Sequence, residues 1–205
     1  LYVQNEYNIT GTDTGYVEVY DRETAVNGGY VWNLSVRLTQ GADANFGGSV
    51  AIAKQNKDRI VVGAPFYGQN TNTGPGIVWI YHYNGPTYGW TVLWQSDSSS
   101  PPVRTYDSAR NGTRVAISDD GLVVAFSSLP PSGTTPYENL RGQVEVLRFP
   151  SNTSLDDPTD MFTLNAGDWN ISYPTISDQF GTDLQLSANG NTLIVGANNL
   201  LQNGQ

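Results

Sequence analysis

The stretch FGGSVAIAKQNKDRIVVGAPFYG, from Phe46 to Gly68, decides the fold because a second version of it occurs later in the chain. That version, FGTDLQLSANGNTLIVGANNL, runs from Phe180 to Leu200. Both begin with Phe-Gly, alternate apolar and polar residues, pass a short polar turn and finish in an apolar run closed by Gly-Ala. A stretch that recurs in this way predicts a repeat architecture built from small supersecondary units.

Two landmarks keep a common period along the chain. The position of Phe46-Gly47 is taken 65 residues later by Asn111-Gly112, and a further 69 residues on by Phe180-Gly181. The second landmark is Gly-x-Val at the start of an alternating run, found at Gly15, Gly76 and Gly142. Because both landmarks stay in phase, the sequence predicts about three repeat lengths cut from a longer array.

Each repeat contains four strand-like runs, which in the second repeat cover residues 49–53, 59–64, 76–83 and 90–95. Short polar turns such as Asp-Gly and Asn-Gly join the first two runs and favour tight hairpins. Four antiparallel strands repeated at this spacing predict an all-β protein, a β-propeller of four-stranded blades. The predicted division is a partial blade at 1–44, a blade at 45–109, a degenerate blade at 110–178 and a partial blade at 179–205.

Composition and charge narrow the possible partners. The net charge of -9 argues against binding to nucleic acid or to anionic membrane surfaces. No apolar run approaches the roughly 20 residues of a membrane helix, so we expect no membrane insertion. The chain has no Cys, which excludes disulfides and thiolate metal sites.

Asn-x-Ser/Thr triplets indicate a secreted glycoprotein. Five are present, at Asn8, Asn33, Asn111, Asn152 and Asn170. The triplet at Asn111 is the weaker candidate for a glycan, because Asn111 stands at the Phe position of the repeat and we expect it to be partly buried.

The runs FGGSVAIA, RIVVGAP, GIVWIYHY and GWTVLWQ resemble the FG-GAP repeat of the integrin α-subunit N-terminal propeller family. They are most similar to its short-hairpin variant in surface proteins of algae, oomycetes and bacteria. Phe46-Gly47 with Gly63-Ala64-Pro65 carries the full motif, and Phe180-Gly181 with Gly196-Ala197 repeats it without the proline. The resemblance spans nearly the whole chain and implies a seven-bladed ring, of which about three blades lie in this chain.

The third repeat and the hairpins depart from that family. Asn111 replaces the Phe, and Ser127-Ser128 replaces Gly-Ala. The first hairpin is too short for the calcium loop of integrins and places Lys54, Lys57 and Arg59 where oxygen ligands would be needed. Because Ca²⁺ takes six to eight oxygens, we expect no calcium and no other cofactor in this chain.

The sequence offers little catalytic chemistry. His82 is the only histidine and lies within an alternating aromatic strand, so a Ser-His-Asp arrangement would have to use it. Carboxylate pairs occur at Asp119/Asp120 and Asp156/Asp157, both in turn-like segments. We therefore expect no catalytic residue in this chain.

The tryptophans recur with the repeat. Trp32, Trp90 and Trp94 fall in the outermost strands and Trp79 one strand further in, which favours packing between blades. Trp169 breaks this pattern in an inter-blade loop and is the candidate for contact with a partner.

These observations predict a non-catalytic, extracellular structural or adhesive module of a secreted or cell-surface glycoprotein. Its expected partners are other blades or chains of one filament-like assembly, extracellular proteins, or glycans. Two alternatives stay open: a carbohydrate-binding propeller that uses loop aromatics, and part of a propeller enzyme whose active site lies outside this chain.

Overall fold

The computed structural model describes residues 15–40, 45–55, 58–67, 75–96, 109–129, 142–150, 158–165 and 179–198. The described chain contains twelve strands and one single-turn helix. They are β1 (Tyr16–Thr24), β2 (Tyr30–Thr39), β3 (Ser49–Ile52), β4 (Arg59–Ala64), β5 (Ile77–Tyr83), α1 (Gly85–Tyr88), β6 (Trp90–Gln95), β7 (Asn111–Ile117), β8 (Val123–Ser128), β9 (Gln143–Arg148), β10 (Asp160–Asn165), β11 (Phe180–Leu186) and β12 (Leu193–Ala197). None of the described helices has the length and hydropathy needed to cross a membrane.

The strands form four antiparallel sheets in chain order. Sheet 1 contains β1 and β2, sheet 2 contains β3 to β6, sheet 3 contains β7 to β10, and sheet 4 contains β11 and β12. In sheets 2 and 3 each strand pairs with the strand that follows it in the chain. The predicted all-β class with four-stranded antiparallel sheets is confirmed, and the four strands of sheet 2 match the predicted runs to within a residue at each end.

Successive side chains of β4 point to opposite faces of sheet 2 and belong to two different hydrophobic cores. Ile60, Val62 and Ala64 of β4 belong to a core shared with Val17 and Val19 of sheet 1. The intervening Val61 belongs to a second core, which β8 and β9 of sheet 3 complete. That second core contains Val61, Val78, Ile80, Leu93, Trp94, Val115, Val124, Phe126, Leu147 and Phe149. A strand covered on both faces has no solvent side, which is why β4 and β8 are apolar on almost every residue.

The same glycine contact joins each sheet to the next. A Cβ built on Gly15, just before β1, would lie 2.0 Å from the carbonyl oxygen of Phe46. A Cβ on Gly142, just before β9, would lie 2.0 Å from the carbonyl oxygen of Phe180. Gly76 meets the backbone of Asn111 in the same way, at 2.5 Å. The Gly-x-Val landmark therefore exists because the third strand of one sheet touches the first strand of the next.

The Phe-Gly landmark has a recurring backbone conformation. The residue before it has positive φ in all three cases, 46° at Asn45, 55° at Arg110 and 49° at Gln179. The glycine of the landmark (Gly47, Gly112 or Gly181) also has positive φ, a conformation in which a residue with a side chain would be strained. Phe46, Asn111 and Phe180 thus occupy equivalent places at the start of successive sheets, as the repeat predicts.

Candidate functional site

Asn111 occupies the Phe position of the third repeat and forms a buried polar contact there. The residue is 1% exposed, and its Oδ1 accepts a hydrogen bond of 2.5 Å from the hydroxyl of Ser128. Ser128 stands at the position of Ala64, so the two departures from the motif are matched: a polar pair replaces an apolar one. The burial expected for Asn111 is confirmed and is nearly complete.

A buried arginine links sheet 2 to sheet 3. Arg59, at the start of β4, is fully buried and donates from Nη1 to the carbonyl of Gly121 in the β7–β8 hairpin, at 2.7 Å. Its guanidinium also lies 5.3 Å from the ring centre of Phe149. Burial lowers the pKa of Arg59, and the nearby carboxylates of Asp58 and Asp120 act in the opposite direction. The cation therefore tethers one hairpin to the next.

The hairpin tips form tight turns rather than open ligand loops. Asp120 Oδ1 accepts hydrogen bonds from the Ser118 hydroxyl at 2.6 Å and from the Leu122 amide at 3.0 Å. Asn189 repeats this turn in the β11–β12 hairpin, where it accepts from Ser187 at 2.9 Å. Within the described ranges, no three His, Cys, Asp or Glu residues lie close enough together to hold a metal ion.

The paired carboxylates and the histidine show no catalytic arrangement in the described parts of the chain. Lys54 Nζ lies 3.7 Å from Asp119, and Asp120 is engaged in its turn. His82 Nδ1 is buried and has no hydrogen-bond partner among the described residues. Asp156 and Asp157 lie outside the described residues.

The glycosylation candidates divide by position. Asn33 is exposed on β2, and its Nδ2 donates to Glu23 at 2.8 Å across the sheet. Asn111 has no room for a sugar in the packed structure, because its side chain is enclosed. Asn8, Asn152 and Asn170 lie outside the described residues, as does the contact candidate Trp169.

Two of the repeat-related tryptophans pack between sheets. Trp79 is 2% exposed and belongs to the core shared with Val17 and Val19 of sheet 1, where it meets the Phe46 ring at a centroid distance of 5.3 Å. Trp94 is 7% exposed and contacts Phe149 of sheet 3 at 6.1 Å. Trp32 departs from the packing prediction, since 62% of it is exposed on β2. The recurrence of tryptophan in the sequence did not distinguish these two environments.

An open groove lies between sheets 1 and 2, with β1 and β2 on one side and the ends of β3 and β5 and the start of β6 on the other. Its volume is about 590 Å³, within the range typical of small-molecule sites. Three aromatic residues line it, Trp32, Tyr83 and Trp90. The rings of Tyr83 and Trp90 pack against each other at 5.4 Å. Charged residues line it as well, namely Asp21, Arg22 and Lys54.

Sequence reasoning missed this groove because its walls belong to different sheets. The signal in the sequence was Trp32, on a strand that also carries Val31 and Leu34. Apolar residues close together on a strand are typical of packing between sheets. Trp32 is exposed instead, because β1 and β2 extend beyond the core that sheets 1 and 2 share.

Sheet 4 presents the second open feature of the molecule. Ile194 of β12 is 65% exposed. Within the described residues, β11 is the only strand that pairs with β12. The corresponding strands β4 and β8 are paired on both edges.

No family model matches the sequence, and no curated protein is significantly similar to it. The resemblance to FG-GAP repeats therefore stays a prediction from the sequence.

Proposed function

We propose that this chain is a non-catalytic structural module, a segment of a β-propeller whose sheets assemble with further sheets. One observation carries the proposal. Inner strand β4 is buried on all six residues, whereas β12, which has nearly the same sequence, leaves Ile194 65% exposed. We infer that the face of sheet 4 that carries Ile194 is where a further sheet packs.

The recurring sheet junction supports a propeller. In propellers, four-stranded sheets are repeated radially and each packs on its neighbours. Gly15, Gly76 and Gly142 each approach the backbone of the following sheet closely, a recurring contact that agrees with blades packed in succession. A ring of seven blades is the closed form that the FG-GAP resemblance implies.

The proposed setting is extracellular, in a secreted or cell-surface glycoprotein with an adhesive or filament-forming role. Exposed Asn33 within its triplet and the acidic net charge of -9 support this setting. The proposal includes no cofactor; buried Arg59 joins β4 to the β7–β8 hairpin by its hydrogen bond to the carbonyl of Gly121. Expression through a eukaryotic secretory pathway, followed by peptide mass mapping, tests the setting: we expect glycan at Asn33 and none at Asn111.

Sedimentation over a range of concentrations tests the assembly function. We expect the chain to self-associate, and Ile194→Asp to weaken association by about tenfold or more, since a buried Ile contributes roughly 1.5–3 kcal/mol. The control is Val92→Asp, which changes a residue 40% exposed on the outer strand of sheet 2 and should leave association unchanged. A chain that stays monomeric at every concentration contradicts the proposal.

The groove between sheets 1 and 2 favours a second candidate function, carbohydrate binding. Sugars present apolar C–H faces that aromatic rings cover and hydroxyl groups that charged side chains bind. Trp32, Tyr83 and Trp90 supply the rings, and Asp21 and Arg22 supply polar groups beside them. This site differs from the predicted one at Trp169, which remains a separate prediction.

Glycan-array binding with two variants tests the carbohydrate candidate. Trp32→Ala should abolish any binding while leaving the fold intact, because Trp32 lies largely in solvent. Tyr88→Ala is the matched control, since Tyr88 is 76% exposed and does not line the groove. Equal loss of binding in both variants, or no binding by the wild type, argues against the groove as a sugar site.

A further inference from the structure

We propose that Asn84, in the turn between β5 and β6, is a site of spontaneous deamidation, and that the fold selects it among the Asn-Gly pairs of the described chain. Four such pairs lie in the described residues, at Asn27, Asn84, Asn111 and Asn189. Asn203, which also precedes a glycine, lies outside them. The modification requires neither the assembly function nor a ligand in the groove.

The reaction uses only the chain and water. The backbone nitrogen of Gly85 attacks Cγ of Asn84, so that an N–Cγ bond forms and the Cγ–Nδ2 bond breaks. The proton of the glycine nitrogen leaves with the amide group as ammonia. Water then opens the resulting succinimide ring at either carbonyl and gives aspartate or isoaspartate. Glycine favours ring closure, because it places no side chain beside the attacking nitrogen and lets the backbone rotate.

Two of the four pairs are held by the packed structure. Asn111 is 1% exposed within β7, where its side chain cannot turn towards the next amide. At the β11–β12 hairpin, the amide of Gly190 donates to the carbonyl of Ser187 at 2.9 Å. A Cβ on Gly190 would lie 2.5 Å from Val123, so the backbone beside Asn189 is also crowded.

The other two pairs are a matched comparison. Asn27 and Asn84 are both exposed, and the glycines that follow them have φ of 79° and 80°. A Cβ on either glycine would meet nothing within 4 Å. The amide of Gly28 donates to the carbonyl of Ala25 at 2.9 Å, whereas the amide of Gly85 donates no hydrogen bond to any described residue. Attack by Gly28 therefore first requires a hydrogen bond to break, and attack by Gly85 does not.

One contact of the Asn84 side chain opposes the reaction weakly. Its Nδ2 donates to the hydroxyl oxygen of Thr91 at 2.5 Å. Both side chains are exposed, so water replaces Thr91 as the acceptor at little cost. This bond holds the leaving group and does not engage the attacking nitrogen of Gly85.

The conversion changes the charge and the backbone of this turn. Aspartate and isoaspartate each add one negative charge next to Tyr83, which lines the groove between sheets 1 and 2. Isoaspartate also inserts a methylene group into the backbone, at the residue whose amide donates to the carbonyl of Gly89 at 2.8 Å. The connection between β5 and β6 therefore changes as the protein ages.

Peptide mapping by mass spectrometry, after incubation of the full chain at neutral pH, tests the selection. Conversion replaces the NH₂ group by OH and gives aspartate and isoaspartate peptides that chromatography separates. We expect Asn84 to convert at least about fivefold faster than Asn27, as one hydrogen bond on the attacking nitrogen implies. Conversion at Asn84 should also exceed that at Asn189 and Asn111, and Asn84→Gln should remove the fast-converting fraction.

The same chain in concentrated urea is the control. All four pairs then have an open glycine amide, so we expect the rates at Asn84 and Asn27 to agree within about twofold. Conversion at Asn27 as fast as at Asn84 in the folded chain overturns the proposal. So does an unchanged ratio in urea, which would assign the preference to the neighbouring sequence. Absence of conversion at Asn84 over a period in which the unfolded chain converts overturns it as well.

Discussion

Strands β4 and β12 have almost the same sequence and opposite environments. Arg59–Ala64 reads RIVVGA and is buried throughout, whereas Leu193–Ala197 reads LIVGA and has no fully buried residue. β4 lies between two strands of its own sheet and between two neighbouring sheets. Within the described chain, β12 has one strand partner, β11, and each of its five residues is half-buried or exposed. The local pattern specifies the strand, and its neighbours determine how much the strand contributes to stability.

This difference shows how a repeat protein distributes its stability. A repeat unit is stabilised by its own contacts and by the interfaces with adjacent units, so an end unit loses one interface. Identical substitutions at equivalent positions of sheets 2 and 4 should therefore have unequal costs, and their ratio measures what a missing neighbour contributes.

The largest expected loss of stability follows from replacing the Phe of the Phe-Gly landmark. Phe46 is fully buried against the rings of Trp79 and Tyr81. Phe46→Ala should lower the free energy of unfolding by about 4 kcal/mol, whereas Phe180→Ala, at a half-buried position, should cost about 2 kcal/mol. Urea denaturation of both variants measures the difference. Equal costs would mean that sheet 4 is covered in solution as completely as sheet 2.

The next largest change in stability is expected at Gly63, which is compared with its equivalent in sheet 4, Gly196. A Cβ on Gly63 would lie 2.1 Å from the carbonyl oxygen of Gly112, whereas a Cβ on Gly196 meets nothing closer than 3.5 Å. Gly63→Ala should therefore cost about 3 kcal/mol by forcing sheets 2 and 3 apart. Gly196→Ala should be neutral, or stabilising by up to about 1 kcal/mol, since alanine restricts the unfolded chain. Thermal unfolding curves compare the two, and destabilisation by Gly196→Ala would show that another sheet packs there.

The third largest loss of stability is expected when Arg59, the arginine buried between sheets 2 and 3, is replaced. Arg59→Met keeps much of the buried volume but leaves the carbonyl of Gly121 without its donor, which should cost about 2 kcal/mol. Lys54→Met changes a cation in the same hairpin whose side chain is 77% exposed, and should cost less than about 1 kcal/mol. The comparison is made by urea denaturation. A larger loss from Lys54→Met would contradict the role given to Arg59.

The smallest effect is a pH dependence in sheet 1. The hydroxyl of Tyr20, followed by Arg37, lowers the pKa of Glu18 below its ordinary value of 4.5. A carboxyl group whose pKa is lower in the folded state stabilises the fold above its unfolded pKa, and this stabilisation is lost as the pH falls through the folded pKa. Glu18→Gln should therefore flatten the decline of stability in acid, measured by urea denaturation from neutral pH downwards. Tyr20→Phe should weaken the same dependence, and an unchanged acid profile in both variants would rule out this contact as its source.

Much of the fold could be predicted from the sequence, because its signals are local. The runs at 59–64 and 90–95 match β4 and β6 at both ends, since apolar residues between turn-forming residues specify strands almost unaided. The candidate site could not be predicted in this way. The groove joins Trp32 of one sheet to Trp90 of another, and no sequence spacing encodes the twist that brings them to one opening.

The sequence by itself determined the repeat, the strands within it and the equivalence of Phe46, Asn111 and Phe180, because period, alternation and turn chemistry are written along the chain. Tertiary structure alone decided which copy of the motif is buried and which stays open at β12. It also decided that Arg59 becomes an internal tether between hairpins. The physical reason is that burial depends on what packs against a strand, and the packing partner of each sheet here is another sheet about 65 residues away in the chain.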